Sequence, residues 1–163
     1  MGIFIKGKQR GQTLIEALVA LGAASLVVSA ITVTVITALN NVQYTKNQNL
    51  AGQYAQQALE AMRQLSLSNW TLFSSYSGKY CMDGGTTSLR TPDPASGDCG
   101  LNYGTFKREV SITQNSTSCS NATLTTAVVS WGDSKCPSTN LYCHNVTLSS
   151  CYTNVNGNIF STP

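Results

Sequence analysis

The residues able to do chemistry are few: six cysteines, one histidine and seven acids in a chain of 163 residues. The cysteines are Cys81, Cys99, Cys119, Cys136, Cys143 and Cys151. No two form a CxxC pair and His144 is the only histidine, so a zinc site lacks its usual ligand spacing. An even cysteine count downstream of a segment that looks exported reads as a disulfide framework formed in an oxidising compartment. Catalysis by a Ser/His/Asp or Cys/His arrangement would have to run through His144, which stands alone beside cysteines that read as paired. Asp83, Asp93 and Asp98 have the oxygen chemistry of calcium ligands, but their spacing fits no EF-hand and they read as solvated loop acids. Gly84-Gly85 is too short for a phosphate loop, and Lys107-Arg108 is a small basic pair without interleaved aromatics, which points to no nucleic acid. The expectation is a protein that is not an enzyme and carries no cofactor or metal.

One acid is out of place. Glu16 sits at the head of an apolar run, and from Ala17 through Thr45 no charged residue follows. Leu14 to Leu39 is 26 residues, and a bilayer-spanning helix needs ~20. A carboxylate within such a segment costs roughly 2.5–3.5 kcal/mol near the helix centre, so it calls for a use or a partner. Lys6, Lys8 and Arg10 precede it and lead to Gly11.

Gly11-Gln12-Thr13-Leu14-Ile15-Glu16, behind a basic leader and ahead of an apolar helix, resembles the processing site of type IV prepilins and type II secretion pseudopilins. In that family the leader is cut after a glycine, the new N-terminus is methylated, and a glutamate stands at the fifth mature position. The resemblance implies a cut between Gly11 and Gln12 by a prepilin peptidase, with methylation of Gln12, although Phe or Met is commoner at that place. It also gives Glu16 an assembly role: its carboxylate would pair with the N-terminal amine of a neighbouring subunit, and a charge-assisted pair in low dielectric is strong per contact and costly to break. The partners implied are other pilin or pseudopilin subunits, the peptidase, the membrane assembly machinery and the lipid bilayer. The sequence IEALVAL and the later strands look like minor pilins of the PilV and pseudopilin I type. The location implied is the cytoplasmic membrane, spanned once with the C-terminal domain outside, and then an extracellular filament or pseudopilus.

Charge agrees with a leader of this kind. The chain carries 10 basic and 7 acidic residues; without Lys6, Lys8 and Arg10 it is balanced, so the excess belongs to the leader and the positive flank favours keeping that end in the cytoplasm.

The elements that must position these residues divide the chain into a leader at 1–11, a transmembrane and assembly helix at 12–39, an amphipathic continuation at 40–66 and an extracytoplasmic β domain at 67–163. Within the membrane segment, residues 31–37 are an unbroken β-branched run, which in water would read as a strand; a lone segment in lipid must satisfy its own backbone, so it is read as helix. Beyond it, Leu50, Tyr54, Ala58, Met62 and Leu65 recur at helical spacing, with Ala51, Ala55 and Leu59 beside them. That face is expected to pack on the protein's own domain, with the Asn-rich stretch and Gly52 as points where the helix could bend. Residues 66–104 read as irregular, with turns at Asn69-Trp70 and Tyr76-Ser77-Gly78. Three strands are expected, at 105–113, 122–131 and 141–149, from period-two alternation of Phe106, Val110 and Ile112, of Ala127, Val129 and Trp131, and of Tyr142, His144, Val146 and Leu148. The fold class is α+β: a long N-terminal helix, its first half transmembrane, on a small antiparallel sheet stabilised by disulfides.

If the last two strands pair antiparallel, residue numbers across the ladder add to a near-constant value. Trp131 opposite Leu141 or Tyr142 gives 272 or 273, Cys119 with Cys151 gives 270, and Cys136 with Cys143 gives 279. The expected bridges are therefore Cys119–Cys151 and Cys136–Cys143, nested, with Cys81–Cys99 separate.

A second reading keeps a different class open. Val28-Ser29-Ala30 resembles an ordinary signal peptidase site, and cleavage there would leave a secreted or membrane-anchored disulfide-rich binding domain beginning at Ile31.

Overall fold

A computed structural model describes residues 12–120 and 122–154. The leader and Gly11 lie outside those residues, and at Gln12 and Thr13 only the backbone is described. The chain divides into two compact units, Met1–Tyr44 and Thr45–Pro163.

Helix α1 covers Gln12–Ser68. Its part in the first unit is the apolar run, long and apolar enough to cross a membrane, with every described side chain exposed. The β-branched stretch is helical, and its hydroxyls show how. Thr32, Thr34 and Thr37 each donate to the carbonyl four residues back (Val28, Ala30 and Val33) at 2.8, 2.9 and 2.9 Å. Ser29 does the same to Ser25, and Ser25 donates three residues back to Gly22. Each hydroxyl is thus satisfied within the helix, as a segment surrounded by hydrocarbon requires. Neither the Asn-rich stretch nor Gly52 interrupts the helix.

In the second unit the remainder of α1 lies on a five-stranded antiparallel sheet. Strands β1 (Gly78–Met82), β2 (Leu89–Arg90), β3 (Phe106–Ser116), β4 (Ala122–Trp131) and β5 (His144–Tyr152) stand in the order β2-β1-β3-β4-β5. The helix seam is small: Ala51, Ala55, Ala58 and Met62 are fully buried, while Leu50, Tyr54, Leu59 and Leu65 flank them half-buried. Side chains of this size let the helix backbone approach the sheet, and the larger residues close the two sides. From the sheet, Phe106, Val110 and Ile112 of β3 and Ala127, Val129 and Trp131 of β4 complete the core. Full burial of a side chain such as Met62 or Val129 contributes about 1.5–3 kcal/mol.

Residues 66–104 are more regular than expected. Helix α2 (Trp70–Ser75) starts where a turn was anticipated, because Asn69 is its N-cap: Asn69 Oδ1 accepts the Leu72 N–H at 2.9 Å. Six residues give too little periodicity to reveal a helix, although Phe73 anchors it in the core. Strand β1 is equally hidden, since its extended form comes from pairing with β3, Tyr80 opposite Val110.

The last two strands pair in a different register from the one anticipated. Trp131 faces His144 and Leu124 faces Cys151, so numbers across the ladder add to 275. Leu141 and Tyr142 belong to the preceding loop, and β5 starts at His144. A Cβ on Gly132 would collide with the Leu141 carbonyl, so the loop's return past β4 requires a glycine there. The end of β3 also runs three residues further than expected, with a pairing irregularity between Thr113 and Ser116 and a left-handed Asn115.

Candidate functional site

Two groups of residues carry the chemistry, one in each unit. In the first unit it is Glu16. The side chain is exposed on an exposed apolar helix, and among the described residues it has no ion-pair partner. Taking a lone carboxylate out of water on such an apolar surface is costly unless it is paired.

In the second unit the chemistry is the disulfides. Cys81 joins Cys99, Cys119 joins Cys151 and Cys136 joins Cys143, with Cα separations of 5.4, 5.6 and 5.4 Å. The first fastens β1 to the loop ahead of β3. The second reaches from a 3₁₀ turn, Thr117–Cys119, to the end of β5. Cys119 is not on the ladder at all; it lies in the turn between β3 and β4, which ends on the left-handed Ser120. The third closes the loop between β4 and β5.

That loop holds a juxtaposition not legible in the sequence. His144 Nε2 lies 3.1 Å from Asp133 Oδ2, and the ligand atoms of Asp133, Cys136, Cys143 and His144 all fall within 4.8 Å of one another. With Cys136 and Cys143 bridged, both sulfurs are spent, and the remaining donors are one imidazole and one carboxylate. The Asp133 carboxyl is held below its ordinary range first by the Lys135 backbone N–H and then by His144. The adjacent Cys143-His144 was the only local signal; Asp133 joins them because Trp131 pairs with His144 across the ladder.

The three loop acids are engaged separately. Asp83 meets Arg90 at 3.3 Å, Asp93 Oδ1 accepts the Ala95 N–H at 2.8 Å, and Asp98 accepts from Lys107 Nζ at 3.0 Å. The Lys107 hydrogen bond leads the causes that hold the Asp98 carboxyl below its ordinary range. The basic pair is split by strand alternation: Lys107 turns to Asp98 and Glu109, while Arg108 points into the interior with 3% of its surface exposed. The two cations therefore form no shared patch.

Comparison with curated proteins returned no match, and neither did comparison with solved structures. A family model does match, over residues 6–37, the span that contains the basic leader, Gly11, Gln12, Glu16 and most of the apolar run. The N-terminal part of this chain thus carries the prokaryotic N-terminal methylation motif, the prepilin-type signal of type IV pilin-like proteins.

Proposed function

We propose that this chain is a structural subunit of a type IV pilus or a type II secretion-like filament, a minor pilin or pseudopilin rather than an enzyme. The observation that carries the reading is the methylation motif in register with an exposed apolar helix that bears a single carboxylate. Prepilin peptidase cuts between Gly11 and Gln12 and methylates the new N-terminus. The subunit waits in the cytoplasmic membrane, held by the apolar part of α1 with the disulfide domain outside. It then leaves the membrane for the filament, where apolar helices of neighbouring copies replace lipid around residues 14–39. Glu16 meets the N-terminal amine of a neighbour, and because a buried unpaired charge is costly, that pair sets the axial register while the apolar packing supplies most of the cohesion.

The test is the N-terminal peptide of the full chain, expressed with and without prepilin peptidase and read by mass spectrometry. A methylated N-terminus at Gln12 that appears only with the peptidase is the expected result. An N-terminus at Ile31, independent of that enzyme, overturns the reading and leaves a secreted disulfide domain.

A further inference from the structure

Arg108 is a buried cation of the second unit, and among the described residues no carboxylate forms an ion pair with it. Its Nε donates to the Met82 carbonyl at 3.0 Å, Nη2 to the Asp83 carbonyl at 2.9 Å, and Nη1 reaches the Tyr54 carbonyl at 3.5 Å. The Tyr103 ring covers the guanidinium at 4.5 Å. Its backbone is held on both sides by Asn102, which accepts the Arg108 N–H at 2.7 Å and donates to the Arg108 carbonyl at 2.8 Å. A guanidinium has five N–H groups. Those three bonds leave one hydrogen on each Nη, and the groups in contact with the guanidinium are carbonyl dipoles and a ring face.

Arg108 lines a pocket of about 180 Å³ together with Gln57, Thr86, Thr87 and Tyr103. No acid lines it. The Asp83 carboxylate, whose charge also acts on Arg108, has both oxygens turned to Arg90. Of the polar side chains around the pocket, Gln57 and Thr87 keep hydrogens to donate, whereas Tyr103 and Thr86 have spent theirs. Tyr103 Oη donates to Gln57 Oε1 at 3.3 Å, which leaves the Gln57 amide hydrogens to point elsewhere. Thr86 spends its hydroxyl hydrogen on the Asp83 carbonyl, and Thr87 contributes a further hydroxyl. Burial pushes the Arg108 guanidinium below its ordinary range, so a negative partner would relieve a cost that the fold now carries.

We propose that this pocket binds one compact oxyanion of the size of sulfate, phosphate or a carboxylate group, with Arg108 as its charged base and Gln57 and Thr87 as neutral donors. The charge-assisted bonds to the two remaining Nη hydrogens supply the affinity. This rests on the second unit alone and does not depend on the filament reading.

The experiment is an NMR titration of the full chain in detergent micelles, following the Arg108 Nε–H, the Gln57 side-chain amide and the Thr87 N–H. Sodium sulfate, phosphate, acetate and chloride are added in turn at constant ionic strength. The expected result is a saturable one-to-one shift of all three resonances with at least one oxyanion and not with chloride; sulfate and phosphate against acetate distinguish a tetrahedral from a planar ligand. Gln57→Ala and Thr87→Val, each checked for an unchanged melting midpoint in chloride, should weaken that binding about fivefold, the value of one neutral hydrogen bond. Resonances that stay still, or that drift without saturation and equally in chloride, overturn the proposal and leave Arg108 as a tether between α1 and the end of β1. Saturable binding that neither variant weakens overturns it as well.

Discussion

Tyr152, the last residue of β5, donates its hydroxyl hydrogen to the backbone carbonyl of Leu59 in α1 at 2.7 Å, across 93 residues of sequence. It ties the far edge of the sheet to the helix, beside an edge-to-face contact with Phe73. Tyr152→Phe keeps the ring packing and removes the bond, so the Leu59 carbonyl loses its side-chain donor. The expected loss is about 1–2 kcal/mol, read by urea unfolding. Burial holds the Tyr152 hydroxyl above its ordinary range. The unfolded chain therefore ionises first as pH rises, and the contribution of this residue is full below about pH 10 and lost above it. In Tyr152→Phe that part of the alkaline loss should disappear.

Thr125 lies fully buried on β4 opposite Ile112, and its hydroxyl makes no hydrogen bond among the described residues. Thr125→Val replaces that hydroxyl with a methyl of similar size. Removing a desolvated, unsatisfied polar atom should raise stability by about 1 kcal/mol or more. Thermal unfolding of the two proteins decides it, and a lower midpoint for the valine variant would count against this account of the core.

Asp98 and Lys107 give a pH dependence of opposite sign. The Asp98 carboxyl is held low by the Lys107 hydrogen bond ahead of its other causes. The stabilisation is therefore present above the ordinary aspartate range and is lost as pH falls through the lowered value, when the unfolded chain binds the proton first. Asp98→Asn should unfold more readily than the parent at pH 7 and show a smaller loss between pH 5 and pH 2. The exposure of the pair to solvent makes the effect modest.

The disulfides should differ in worth with the loops they close. Cys119–Cys151 spans 32 residues and Cys136–Cys143 only 7. By loop-closure entropy the longer bridge contributes about 1 kcal/mol more. Paired serine substitutions, C119S/C151S against C136S/C143S, compared by chemical unfolding, should rank in that order.

Glu16→Ala should enter the membrane, since it removes a charge from an apolar helix, and should still be processed at Gly11. If the carboxylate sets register between neighbours, this variant accumulates in the membrane fraction and is depleted from sheared filaments. Equal incorporation of the variant and the parent would remove Glu16 from assembly.

The sequence by itself determined the features that depend on local pattern. An apolar run uninterrupted by charge, with Glu16 at its head, needs no fold to be recognised, because its length and polarity are set against the bilayer. The inward faces of β3 and β4 were equally legible, since Val110, Ile112, Ala127, Val129 and Trp131 alternate with polar neighbours and side chains in a strand alternate in the same way. Tertiary structure decided the rest. Strand β1 and helix α2 are five and six residues long, and at that length pairing to β3 or a capping asparagine outweighs propensity. Register escaped the ladder argument because the loop 132–143 folds back on its own disulfide and delays β5 to His144. The same alternation that made β3 readable turned Arg108 inward and Lys107 outward. Which carbonyls meet Arg108 there depends on α1 and β1, brought together from 54 and 26 residues away, and no local pattern encodes contacts at that range.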